Sequence, residues 1–116
     1  MPKVIIEFTP EEKEEMVRGI FDNFPESSYC LPCTLWKYKE FRFKFYEEEE
    51  SKTHEVLLPQ AIEGFDLFWA KLTERHLESK TYCGLDPLSA LDLCNWDAVG
   101  FDAVVQFAIF KDLIYG

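Results

Sequence analysis

TLWKYKEFRFKFYEEEESKTHEVLL, residues 34–58, decides how this chain is read. Its first half is strand-like, with aromatic residues alternating against charged ones. The alternation changes phase midway: Trp36 and Tyr38 occupy even positions, whereas Phe41, Phe43 and Phe45 occupy odd ones. Side chains of a strand alternate strictly between its two faces, so these aromatics share a face only if an extra residue enters near Lys39-Glu40. The spacing therefore predicts one long strand over 34–46 with a β-bulge at that point; without the bulge, the sheet buries aromatics on both faces. EEEESKT (47–53) then turns the chain, and HEVLL (54–58) returns as the partner strand. Adjacent glutamates repel one another in a packed element but are tolerated at a hairpin tip, where water and salt screen them. Glu47, Glu48, Glu49 and Glu50 are accordingly expected at an exposed tip, with His54 close enough to pair with them when protonated.

Working outward, KVIIEF (3–8) alternates as a strand, Val4, Ile6 and Phe8 facing one way and Ile5 and Glu7 the other. Thr9-Pro10-Glu11-Glu12 is a helix start: Thr9 caps, Pro10 suits the first helical position, and Glu12 completes a capping box. Met16, Val17, Ile20, Phe21 and Phe24 follow helical spacing, and Pro25 marks the stop. PESSYCLPC (25–33) has loop chemistry. A second helix is predicted from Pro59 to about Glu78, with Ala61, Ile62, Phe65, Phe68, Trp69, Leu72 and His76 on its apolar stripe. SKTYCG (79–84) is a loop, and Asp86-Pro87 opens a short helix, LSALDLC (88–94). The last helix starts at Asn95 or Asp97 and covers roughly 97–114; it is apolar nearly all round, apart from Asp102 and Gln106 one turn apart. Such a helix belongs at the centre of a fold. The expected architecture is α+β: a small, mainly antiparallel sheet of about three strands, in the order β-α-β-β-α-α-α, packed against helices around an aromatic core. At 116 residues the chain is expected to form a single domain.

The 22 acidic residues against 12 basic ones leave a formal net charge of −10, which repels nucleic acid and anionic membrane and attracts basic protein surfaces. The N-terminus lacks an apolar core of signal-peptide length, and the run Ala98–Phe110 is shorter than the ~20 residues that span a bilayer. A cytoplasmic protein with reduced cysteines is expected. Lys37, Lys39, Arg42 and Lys44 interleave with aromatics in the manner of a single-strand nucleic-acid platform. Beside Glu40 and the glutamate run, they read better as cross-strand partners or as protection of a sheet edge. No direct contact with nucleic acid is expected.

Cys30-Leu31-Pro32-Cys33 is the sharpest motif, because a C-x-x-C pair can form a redox disulfide or share a metal. Redox chemistry wants the pair after a strand and at a helix start, the reverse of the order here. A zinc site would need two further ligands beside Cys30 and Cys33, from Cys83, Cys94, His54 and His76 and foremost the two cysteines, and these offer no second close pair, so no cofactor is expected. His76 lies on an apolar stripe near a helix end and reads as a core or helix-end residue. Nucleophile-elbow, Walker, dinucleotide-binding and H-E-x-x-H motifs are absent. No catalytic residue is assigned.

The closing stretch, WDAVGFDAVVQFAIFKDLIYG (96–116), together with the chain's acidic and aromatic character, resembles small proteins of phages and other mobile elements. The resemblance implies an accessory protein that works by binding, such as an inhibitor of host nucleic-acid-handling enzymes that presents carboxylates where phosphates would lie. The expected function is thus a non-enzymatic acidic binding protein, an inhibitor or decoy on a basic surface of a nucleic-acid-binding host enzyme or defence complex. Its contact residues are expected to be Glu47–Glu50 and then Glu11, Glu12, Glu14 and Glu15. The alternatives are a small-molecule-binding or enzymatic domain with a pocket lined by aromatics such as Trp36, Trp69 and Trp96, or a zinc-stabilised structural module.

Overall fold

The computed structural model describes residues 5–24 and 30–115, and shows an α+β fold in the order α-β-β-β-α-α. Helix α1 spans Pro10–Asn23, strands β1, β2 and β3 span Cys33–Lys37, Arg42–Glu47 and Lys52–Leu57, and helices α2 and α3 span Leu58–Leu77 and Ala98–Phe110. The sheet is antiparallel in the order β1-β2-β3. Among the described residues, no helix is long and apolar enough to cross a membrane.

The phase change in TLWKYKEFRFKFY is a hairpin and not a bulge. Residues 38–41 form a turn closed by a bond from the Phe41 N–H to the Tyr38 carbonyl at 3.0 Å, and the expected long strand is two. Trp36 pairs with Phe43 and Lys37 with Arg42, so even positions of β1 lie opposite odd positions of β2. Paired residues share a face, so the turn brings both aromatic series to one side without any insertion. The register does slip, but elsewhere, between Cys33 and Leu35. The second turn, residues 48–51, repeats the first, with the Ser51 N–H donating to the Glu48 carbonyl at 3.1 Å. Each turn ends on a left-handed residue, Phe41 at φ 46° and Ser51 at φ 49°.

Residues 5–9 do not join the sheet. Ile6 and Phe8 do turn inward while Ile5 and Glu7 stay exposed, but the partner is α2. Trp69 Nε1 donates to the Ile6 carbonyl at 3.3 Å, and the Phe8 ring meets Phe65 and Trp69 edge-on. Two-residue alternation reports an extended backbone with one covered face, and a helix covers it as well as a strand does. Lys3, Val4 and Pro25–Tyr29, on which part of the strand and loop expectations rested, lie outside the described residues.

Helix α1 starts at the expected capping box: Thr9 Oγ1 accepts from the Glu12 N–H, and Glu12 Oε1 accepts from the Thr9 N–H. Helix α2 buries Ala61, Phe65, Phe68, Trp69 and Leu72 as its stripe foretold. The expected helix over 88–94 is instead two 3-10 turns, Ser89–Leu91 and Leu93–Asn95, because the Asp92 side chain accepts from the Cys94 N–H and restarts the chain there. Helix α3 is capped by Asp97 and ends four residues early, where Lys111 turns left-handed at φ 62°.

Gly100–Ala108 are buried without interruption, which places α3 at the centre. On one side Gly64 of α2 lies so close that a Cβ there would come within 2.7 Å of Val104 O and Ala108 N. On the other, Phe101 meets Phe21 of α1 and Phe45 of β2. Phe21 also packs 5.1 Å from both Phe41 and Phe43, joining sheet, α1 and α3 in one aromatic cluster.

Phe41 sets a backbone penalty against a buried ring: it is 3% exposed, touches Phe21 and Phe43, and lies under the Arg18 guanidinium. Phe41→Ala and Phe41→Gly both delete the ring, but only the glycine relieves the left-handed backbone. Denaturant melts are expected to find the glycine variant more stable than the alanine variant by roughly 1 kcal/mol, after allowing for glycine's unfolded-state entropy. Equal stability would show that the turn bears no strain.

Candidate functional site

The acidic side chains divide into three groups. Glu11, Glu12, Glu14 and Glu15 are all exposed on α1. The cations of this helix are already engaged, Lys13 with Asp66 at 2.8 Å and Arg18 with Glu14 at 3.1 Å. Among the described residues Glu11 and Glu15 have no hydrogen-bond or ion-pair partner. Beside them, α1 and the 3-10 turns enclose a groove of about 570 Å³ lined by Phe8, Glu12, Glu15, Met16, Leu91, Asp92 and Leu93. Its floor is apolar and its rim is three carboxylates from two walls. Two of the three are held in place by the backbone: Glu12 by the Thr9 N–H and Asp92 by the Cys94 N–H. Glu12 and Glu15 were legible as contact candidates; Leu91, Asp92 and Leu93 were not, because they come from a segment distant in sequence.

The glutamate run splits. Glu48, Glu49 and Glu50 are exposed in the turn, but Glu47 is the last residue of β2 and only 6% exposed. One Glu47 oxygen lies 2.8 Å from His54 Nε2, and the other accepts from the Tyr115 hydroxyl. An ionised carboxylate has no proton to give, so the imidazole Nε2 is the donor. The Tyr115 hydroxyl first, and His54 second, hold the Glu47 carboxyl below its ordinary value of 4.5. Glu47 in turn pushes the Tyr115 phenol well up. The segment carrying Tyr115 is tied down further by Gln106: its Oε1 accepts from the N–H groups of Ile114 and Tyr115 at 2.9 and 2.7 Å, and its Nε2 donates to the Tyr115 carbonyl and to Asp102. Glu47 is therefore a structural residue; the sequence signals of this latch were the expected pairing of His54 with the glutamate run and the polar pair inside an apolar helix.

The remaining candidates do not assemble. Cys30, Cys33 and Cys83 are half-buried and Cys94 is exposed, all as free thiols. Burial first, then the Asp102 carboxylate, push Cys30 up to about 11; burial does the same to Cys83. Burial also raises Cys33, whose Sγ–H donates to the Leu35 carbonyl. Thiols held protonated near neutral pH are poor nucleophiles and poor ligands. Among the described residues, no three His, Cys, Asp or Glu side chains are placed to hold a metal ion. Trp69 and Trp96 spend their indole N–H groups on the Ile6 and Ala90 carbonyls, while Trp36 stands 42% exposed on the edge strand, so the three do not line a common pocket. His76 lies in the last turn of α2. Of the strand cations, Arg42 reaches across to Glu55 at 2.8 Å, which raises the one and lowers the other, as cross-strand pairing predicts.

No family model, curated protein or solved structure matched the chain when it was compared with each.

The split in the glutamate run is testable. Glu48→Gln/Glu49→Gln/Glu50→Gln is expected to keep wild-type stability, or gain slightly from lost repulsion, whereas Glu47→Gln is expected to melt lower near neutral pH. A carboxylate with a lowered folded pKa stabilises above the unfolded value and ceases to do so as pH falls through the folded one. Below the ordinary value of 4.5, the Glu47→Gln melting curve is therefore expected to converge on wild type. A constant gap between the two across the acid limb would contradict the charged latch.

Proposed function

We propose that this chain is a non-enzymatic acidic binding protein: an inhibitor or decoy of the phage type that occupies a basic surface of a nucleic-acid-binding host enzyme or defence complex. The observation supporting this reading is the set of carboxylates for which the fold supplies no cation. Glu11, Glu15 and Glu48–Glu50 stand exposed and unpaired among the described residues, whereas Lys13, Arg18, Arg42 and Lys111 are each committed to an acid of the same chain. With a net charge of −10, the surface field draws a basic partner in from a distance and repels a nucleic acid competing for the same partner. Unpaired carboxylates on a rigid helix and a tight turn can stand where phosphates would stand, without ordering a flexible segment on binding.

The expected partner is a protein whose own ligand is nucleic acid, so the decisive assay is competition. Tagged chain captures its partner from the native host, and the isolated partner is then given labelled nucleic acid with and without the chain. Displacement is expected, with an association rate that falls steeply as salt rises. Changing Glu11, Glu15 and Glu48–Glu50 to Gln is expected to slow association while leaving the melting temperature unchanged. Equal rates for variant and wild type at low and physiological ionic strength would overturn the proposal.

A further inference from the structure

We infer that the groove between α1 and the two 3-10 turns receives the apolar stripe of a basic amphipathic helix belonging to the partner protein, an inference that rests on the acidic-binding reading above. The floor and the rim demand different chemistry from one ligand. Phe8, Met16, Leu91 and Leu93 present apolar surface, and Leu91 is left 44% exposed. Glu12 and Glu15 from one wall and Asp92 from the other place carboxylates on both sides of that surface. An anionic ligand is repelled, and a purely apolar one would strand the carboxylates out of water. A bare cation is unsuited as well, since no three of these acids converge to hold one. A second copy of this chain brings the same acidic α1 to the same acidic rim. A ligand with apolar side chains along its centre and Lys or Arg along both margins satisfies floor and rim together.

The dimensions favour a helix over a small amphiphilic cation. A second hollow of about 280 Å³, lined by Asn23, Phe24, Leu93, Cys94 and Trp96, shares Leu93 as a wall with the first. Leu93 packs directly onto α1 because residue 19 is glycine: a Cβ there would come within 2.6 Å of Leu93 Cδ1. The two hollows are set along α1 from Glu12 to Asn23, a span of roughly 16 Å or three turns of a helical ligand that reaches into both. Apolar anchors spaced i, i+3/i+4 and i+7 would fall along that length.

Two synthetic peptides of roughly 18 residues and identical Leu/Lys composition test the inference, one with the leucines on a helical stripe and the other scrambled to abolish it. Anisotropy titrations against the full chain at physiological salt are expected to favour the striped peptide by about tenfold or more, the worth of burying one or two leucines. Leu91→Ser, at an exposed position, is expected to erase most of that preference. The triple Gln change at Glu48–Glu50 is expected to leave it intact. Equal, salt-sensitive binding of both peptides would overturn the groove but leave the acidic-binding reading standing. No binding of either peptide would overturn both. A preference that survives Leu91→Ser would move the site elsewhere and overturn the inference as well.

Discussion

The fold is governed by one requirement, that Gly100–Ala108 have no face fit for water. A helix apolar on all sides must be wrapped, and each remaining element supplies one part of the wrapping. Gly64 lets α2 approach to backbone contact, the tightest cover available. The sheet contributes Phe45 and α1 contributes Phe21, meeting at Phe101. The fourth side is the one bearing Asp102 and Gln106, and there the residues after α3 fold back to satisfy Gln106. A buried amide is tolerable only with its partners present, so Gln106 recruits backbone where the rest of the helix recruits side chains, and Asp102 accepts from the Gln106 amide.

Much of this was legible before any coordinates. Thr9-Pro10-Glu11-Glu12 announced α1 through local chemistry, and the stripe of α2 did so through its period. Helix α3 was placed at the centre because no polar face could be drawn on it. The misreadings came where one local signal has two tertiary causes. Alternation in residues 5–8 implied a covered face without saying what covers it, and α2 does. The phase change at Lys39-Glu40 signalled a change of partner face, produced equally by an extra residue or by reversal of the chain. Glu47 could not be separated from Glu48–Glu50 because the signal for burying it, Tyr115 and His54, lies on other elements. Asp92 and Leu91 entered the groove for the same reason: sequence distance conceals what folding brings together.

The same wrapping sorts the charge. Several cations find partners within the chain: Arg42 with Glu55, Lys13 with Asp66, Lys111 with Glu63. Among the described residues, exposed acids with no ion-pair partner remain on α1, on the second hairpin turn and elsewhere. The surplus charge is thus carried by elements at the periphery, where a change of side chain alters the field without disturbing packing.

Gln106 also constrains how such a sequence can vary. It uses its carbonyl oxygen for two N–H groups and its amide nitrogen for a carbonyl and a carboxylate. Glutamate would lose the donor and set a second acid beside Asp102; asparagine falls one methylene short; leucine satisfies none of the four. The connection from Phe110 to Ile114 must also keep its length, since the acceptor and its two donors are fixed at both ends. Substitution at position 106 and insertion or deletion within 111–113 therefore break the same set of hydrogen bonds.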